Sequence, residues 1–285
     1  MRALAVPPED RSSPAPEVRN TQPDVRDMLF AGLQGRHFPF RITASEQGML
    51  AGAGKLVAKA VDLGVHTDWA ATDGATIEPG APLFVARGNA WQVARSEEQL
   101  IAIIAKASGV ATAAARLVAQ AGTRARIVCG AWKKLPVEAR ADLRGAAAIG
   151  GVETRILDSA FVYLDKNTVR MLGGVGPAVR RARGEPGRAV VVQLRGETAA
   201  ITDEALEAAA EGAEVLMVDT GQIPDLAKVG RLSAAGRLGP RVRVAFAGGV
   251  GSMNLDAVMD AGATIVDVGR AILDAPMMDL RLDVT

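Results

Sequence analysis

Apolar and polar positions in this chain follow two periods. Gly48, Met49 and Leu50 lead into Leu56, Val57, Ala60 and Val61, whose three- and four-residue spacing predicts a short strand and then a helix. Residues 72 to 95 break into short runs such as 82 to 86, separated by turns at Asp73-Gly74 and Glu78-Pro79-Gly80, and predict a small β unit. Ser96 stands three residues before Gln99, a capping-box spacing ahead of Leu100, Ile101, Ile103 and Ile104. A long helical region is expected from there, interrupted near Ser108-Gly109.

In the second half one unit recurs. A β-branched run at 189 to 194 precedes a helical 202 to 212, the run 215 to 218 precedes 223 to 236, and 242 to 246 precedes 254 to 262, with a last run at 264 to 268. Strand starts lie about 25 residues apart, and runs at 126 to 129 and 161 to 164 supply two more strands. Such alternation predicts parallel strands joined by right-handed crossovers, and a barrel accommodates it better than an open two-faced sheet.

Composition narrows the function classes. Apolar residues make up 49% but aromatic ones only 4%, which suits closely packed helices more than a bulky β-sandwich core. A net charge of +1 with basic residues spread along the chain gives no reason to expect nucleic acid or a membrane surface as partner. Cys129 is the single cysteine and His37 and His66 the only histidines, so neither a disulfide framework nor a structural zinc site is expected. Residues 1 to 25, rich in Pro, Ser, Arg and Glu, predict a mobile tail. Without a signal-like run or an uncharged 18-residue span, a cytoplasmic protein is expected.

In βα barrels the chemistry gathers at the carboxyl ends of the strands, with phosphate held by the last loops. The first such end carries Lys133 and Lys134, able to meet phosphate or carboxylate as point charges, or simply a solvated loop. Arg155 can grip a carboxylate in bidentate fashion or lie on the surface. Asp165-Lys166-Asn167-Thr168 follows an apolar run, so its side chains are expected at the same mouth, unless it only makes a turn. Gln193 and Arg195 end a later strand. Asp219 ends the next, suited to ribose hydroxyls or, beside a phosphate, to Mg2+, with a helix N-cap as the alternative. Gly248-Gly249 is the clearest signal: glycines let the backbone approach a ligand, and consecutive amides at a helix start bind an anion without a cation. A tight turn requiring positive φ is the plainer explanation. Gly269-Arg270 can complete the same pocket.

These stretches, together with Ala51-Gly52, Ser96 to Leu100, Ala107 to Thr112, Gly150-Gly151 and Val266 to Gly269, resemble quinolinate phosphoribosyltransferase in order and spacing, from roughly Glu46 to Val284. The resemblance implies an α/β protein with an N-terminal α/β sandwich over 26–124 and an incomplete parallel α/β barrel over 125–274, type II phosphoribosyltransferase-like. The segment 275–285 is expected to pack back on the first domain. It also implies a homodimer or higher oligomer with shared active sites. The implied reaction moves phosphoribosyl from 5-phosphoribosyl 1-pyrophosphate, with Mg2+, to the ring nitrogen of an aromatic pyridine carboxylate, quinolinate in the family.

On the matching positions, Lys133 and Asp219 take catalytic roles, Asp219 also the metal, Arg155 the substrate, and Gly248, Gly249 and Gly269 the phosphate. Lys166, Asn167, Gln193 and Trp132 join the substrate side. Elsewhere the pattern changes: the family's Glu-Arg reads Glu97-Glu98, its Thr-Arg reads Ala131-Trp132, its histidine is Thr154, and three acidic or hydroxyl positions are Gln193, Ala245 and Ala247. Trp132 is expected to offer a face for stacking a less charged ring, and Glu98 to repel a carboxylate. Two other readings stay open, a phosphate-binding or assembly protein without turnover and a Schiff-base aldolase acting through Lys133 or Lys134.

Overall fold

The two periods of the sequence fold into two unlike sheets in the computed structural model, which describes residues 24–285. Most of the expected tail lies outside the described residues; its last two, Asp24 and Val25, cap and open helix α1 (Val25–Leu29). The first half contributes β1 (Phe38–Ala44), β2 (Gly48–Met49), α2 (Ala53–Asp62), β3 (His66–Ala70), β4 (Thr76–Ile77), β5 (Pro82–Gly88) and α3 (Ala90–Ala121). Strands β1, β5 and β3 form an antiparallel sheet whose other edge is the C-terminal strand β12 (Leu280–Val284), paired to β1 from Phe40↔Val284 to Ala44↔Leu280. Phe40, Ile42 and Phe84 are fully buried between this sheet and helices α2 and α3.

The expected start and break of the long helix are both corrected. Asn89 caps it: its side chain accepts from the Gln92 amide at 2.9 Å while Gln92 Oε1 accepts from the Asn89 amide at 2.7 Å, a complete capping box seven residues before Ser96. Ser96 is fully buried inside the helix. Nor does α3 stop at Ser108-Gly109. Gly109 is there for contact: a Cβ at this position would lie 1.9 Å from the Pro276 carbonyl oxygen, so only glycine lets the C-terminal segment cross the helix. By length and composition α3 could cross a membrane, yet 56% of its apolar stretch is buried against the two halves of the protein.

The second half is β6 (Arg126–Val128), α4 (Val137–Ile149), β7 (Phe161–Leu164), α5 (Lys166–Met171), α6 (Val175–Arg183), β8 (Ala189–Leu194), α7 (Ile201–Ala210), β9 (Val215–Val218), α8 (Ile223–Ala234), β10 (Arg243–Ala247), α9 (Leu255–Asp260), β11 (Ile265–Asp267) and α10 (Arg270–Leu273). Its six parallel strands run in the order β6-β11-β10-β9-β8-β7. Chain neighbours β6 and β7 therefore lie at opposite edges, with only the Val128↔Glu153 bridge beyond β6, and the curled sheet is a barrel left open. Val190, Val192, Leu194, Leu216 and Phe246 face the helices, whereas Val128, Val191, Val215, Met217, Ala245 and Ile265 fill the interior. Burial on both faces explains why these strands read as unbroken apolar runs. Each such valine or leucine contributes about 1.5–3 kcal/mol.

Candidate active site

The carboxyl ends of the barrel strands open into one cleft of about 1610 Å³. Glycines bring its walls together. A Cβ on Gly248 would lie 2.8 Å from the Gly221 Cα, so the loops after β9 and β10 touch backbone to backbone. Gly248 and Gly249 both have positive φ, +108° and +71°, which favours glycine. The turn is not a helix start, as the sequence suggested: five residues separate it from α9. Asn254 folds back over that interval, accepting from the Gly251 amide at 2.9 Å and donating to the Gly249 carbonyl at 3.1 Å. The amides of Gly249 and Val250 find no acceptor among the described residues, and both residues line the cleft. Gly269 lies against Ala131, where a Cβ would come within 3.0 Å of the alanine methyl, and this draws the Ala131–Lys134 turn to the same rim.

Lys133, Lys134, Arg155 and Lys166 all line the cleft. Arg155 rests its guanidinium over the Phe161 ring at 5.4 Å and donates from Nη2 to the Ser159 carbonyl at 3.3 Å, with no carboxylate partner among the described residues. At the far wall Asp219 Oδ2 accepts from Arg195 Nη1 at 3.0 Å and from Gln193 Nε2 at 3.2 Å, and Arg195 Nη1 also donates to the Asp219 carbonyl. Asp219 is thus no helix cap; Gln222 takes the N-cap position of α8. Gln193 is itself fixed, its Oε1 accepting from the Lys166 amide at 2.7 Å and its Nε2 donating to the Tyr163 hydroxyl at 3.0 Å.

One expected side chain, Asn167, lies elsewhere, and Trp132 meets the cleft differently from the expectation. Asn167 is exposed outside the cleft, because Asp165 caps α5, accepting from the Thr168 amide at 2.8 Å, and the helix turns the next position outward. Trp132 lines the cleft but is 6% exposed, packed into the helix-side core with Arg144 over one face of its ring at 5.3 Å, so it contributes mainly to the wall. Glu98 does not line the cleft of its own chain, and Arg26 Nη1 donates to it at 2.8 Å.

The sequence reading passed over Asp267. It ends β11 by the same strand-end rule that selected Asp219, and its Oδ1 accepts from the Gly130 amide at 2.8 Å. Burial raises its carboxyl above the ordinary aspartate value, against the pull of the Gly130 amide, and the nearby Asp219 charge adds to the rise. Cys129, at the root of the same loop, has its thiol pushed up to about 11 by burial and is no thiolate nucleophile.

A family model of the quinolinate phosphoribosyl transferase C-terminal domain matches residues 110–283, and one of the N-terminal domain matches 24–108. The chain belongs to the quinolinate phosphoribosyl transferase family. Its relatives in this family include the nicotinate-nucleotide pyrophosphorylase [carboxylating] of Rattus norvegicus, 27% identical over 92% of this chain and 87% of that protein. A probable nicotinate-nucleotide pyrophosphorylase [carboxylating] of Archaeoglobus fulgidus is 26% identical over 85% and 93%. In fold it is similar to the nicotinate-nucleotide pyrophosphorylase of Francisella tularensis, with a TM-score of 0.72, 20% identity and coverage of 92% and 94% of the two chains.

Within the quinolinate phosphoribosyl transferase family, a divalent ion is expected beside the ribose carboxylate, but the donors in this chain do not suit a resident one. Gln193 turns the donor end of its amide toward Asp219, and Asp219 Oδ2 already accepts from a guanidinium.

Proposed function

We propose that this chain transfers phosphoribosyl from 5-phosphoribosyl 1-pyrophosphate to the ring nitrogen of a pyridine carboxylate. The observation that carries the reading is the meeting, in one cleft at the open barrel mouth, of the free amides after Gly248, the carboxylate of Asp219 and the ammonium of Lys133. The Gly249 and Val250 amides and the Gly269 turn take the 5-phosphate. Asp219 accepts from a ribose hydroxyl. Arg155 holds the acceptor carboxylate, and Lys133 and Lys134 supply point charges toward the leaving pyrophosphate.

The ring nitrogen gives its lone pair to C1 of the ribose. The bond from C1 to the pyrophosphate oxygen breaks, and its electron pair leaves with pyrophosphate. With quinolinate as acceptor, the neighbouring carboxylate departs as carbon dioxide and the ring carbon takes up a proton in its place. Holding both reactants in one cleft contributes by orientation. Mg2+ enters as the salt of the pyrophosphate, whose oxygens supply most of its ligands, and is in that sense part of the substrate.

We place the protein in the cytoplasm as a homodimer or larger homo-oligomer. Val25, Met28 and Leu29 on α1 and the wholly exposed Met253 at the cleft rim offer apolar surface that a second copy would cover. Light scattering on the purified chain tests the assembly. For the reaction, purified protein with phosphoribosyl pyrophosphate, Mg2+ and a panel of pyridine mono- and dicarboxylates should release pyrophosphate. Lys133→Ala and Asp219→Asn should each lower the rate by about 10² or more. No release with any acceptor would refute the assignment.

A further inference from the structure

Arg195 is held more firmly than a strand-end arginine on a surface needs to be. The carboxylate of Glu204, 2% exposed, accepts from the amides of Arg195, Gly196, Glu197 and Thr198 at 2.8–3.1 Å and from the Thr198 hydroxyl at 3.0 Å, closing the loop after β8 around itself. Within that loop Glu197 binds Arg195 Nε at 3.1 Å and is itself gripped by Arg170 at 2.7 and 2.8 Å. Arg195 is thereby fixed at its backbone and at Nε, and its Nη1 reaches both oxygens that Asp219 turns toward it.

We infer that Arg195 is a built-in countercharge that takes the place of a protein-held divalent cation at Asp219. A divalent ion on Asp219 Oδ2 would meet two hydrogen bonds already made to that oxygen and stand against the guanidinium, a like-charge contact. It would also meet the NH2 group of Gln193, which donates and cannot ligate. What remains is Asp219 Oδ1, which accepts no hydrogen bond from the described residues and serves as acceptor for a ribose hydroxyl. The binding of the pentose phosphate is then independent of any ion held by the protein. Arg195 and Glu204 are positioning residues in this account. The inference rests on the phosphoribosyl reading of Asp219, but the charge pairing at Arg195 can be tested apart from it.

The test uses the full chain without phosphoribosyl pyrophosphate. Mn2+ is titrated and its free fraction read by electron paramagnetic resonance. The wild type should leave the Mn2+ signal as in buffer up to roughly millimolar metal. Arg195→Glu, which sets a second carboxylate beside Asp219, should capture Mn2+ about tenfold or more tighter. Wild-type capture of Mn2+ that Asp219→Asn abolishes overturns the inference, as does an Arg195→Glu chain with native circular dichroism that binds Mn2+ no better than wild type.

In a second arm, ribose 5-phosphate is titrated calorimetrically in EDTA and in Mg2+. Wild-type affinity should agree within about twofold, Arg195→Ala should weaken it about tenfold in EDTA, and Arg195→Lys should restore part of the loss. A tenfold gain for the wild type in Mg2+ overturns the inference too. Failure of ribose 5-phosphate to bind in either buffer tells against the phosphoribosyl function, while the Mn2+ arm still decides the role of Arg195.

Discussion

Glu204→Gln isolates the anchor on which the geometry of Arg195 depends. The substitution keeps the shape of the side chain and replaces one oxygen with NH2. Glu204 Oε2 accepts from the amides of Arg195 and Gly196, and Oε1 from the amides of Glu197 and Thr198 and from the Thr198 hydroxyl. Whichever way the new amide turns, its NH2 faces at least two backbone N–H groups, so at least two hydrogen bonds are lost and two donors are set against each other. Bonds to an ionised acceptor are worth about 1.5–3 kcal/mol each, which puts two at about 3–6 kcal/mol.

The loop amides regain some water when released, since Gly196, Glu197 and Thr198 are exposed, and the net loss is expected at about 2–4 kcal/mol. For a protein of this size that corresponds to a fall in Tm of about 5–15 °C. Urea unfolding followed by circular dichroism should show the midpoint lowered at unchanged slope. A loss below about 0.5 kcal/mol, the range of an ordinary surface substitution, would refute the view that Glu204 holds this loop.

Further expectations follow from the cleft. Gly248→Ala adds a methyl 2.8 Å from the Gly221 Cα at a φ of +108°, so it should cost about 1–3 kcal/mol in stability and at least roughly tenfold in affinity for ribose 5-phosphate; calorimetry showing native affinity would contradict the backbone reading of the turn. Asp267 has its pKa raised on folding, so the unfolded chain releases this proton first as pH rises. The stability it contributes is present below the ordinary aspartate range and lost as pH climbs through its higher folded value. Asp267→Asn, which can keep the bond from the Gly130 amide, should therefore gain on the wild type with increasing pH. Parallel unfolding free energies for the two proteins from pH 3 to pH 8 would rule that cause out.

Much of the barrel is legible in the sequence because its strands are buried on both faces. The runs at 189 to 194 and 215 to 218 coincide with β8 and β9 in full, and no competing period disturbs them. The long helix is harder for a physical reason. Asn89 and Ser96 both precede a Gln by three residues, and local chemistry alone does not say which pair closes. Burial decides it, by placing Ser96 in the core and Asn89 just past the end of strand β5. Gly109 misleads for a similar reason: in a sequence it reads as a break, whereas in the fold it marks a crossing by Pro276 from the far end of the chain. No periodicity carries a contact between positions so far apart.

The site divides along the same line between backbone and side chain. The phosphate end is made of amides and of glycines whose positive φ or close approach admits little else, so its identity can be read from Gly248-Gly249 directly. The ribose end depends on which way an amide or a guanidinium turns, and that follows from partners elsewhere: the Lys166 amide orients Gln193, and Glu204 and Glu197 orient Arg195. With Gln193 where the family carries glutamate, one negative charge beside Asp219 is gone. Arg195 then pairs with the carboxylate left at Asp219. A divalent ion held at Asp219 Oδ2 would stand against that guanidinium, whereas the pyrophosphate of the substrate brings enough negative charge to carry its own Mg2+. The neutral residue at 193 and the anchored cation at 195 are therefore two parts of one electrostatic arrangement.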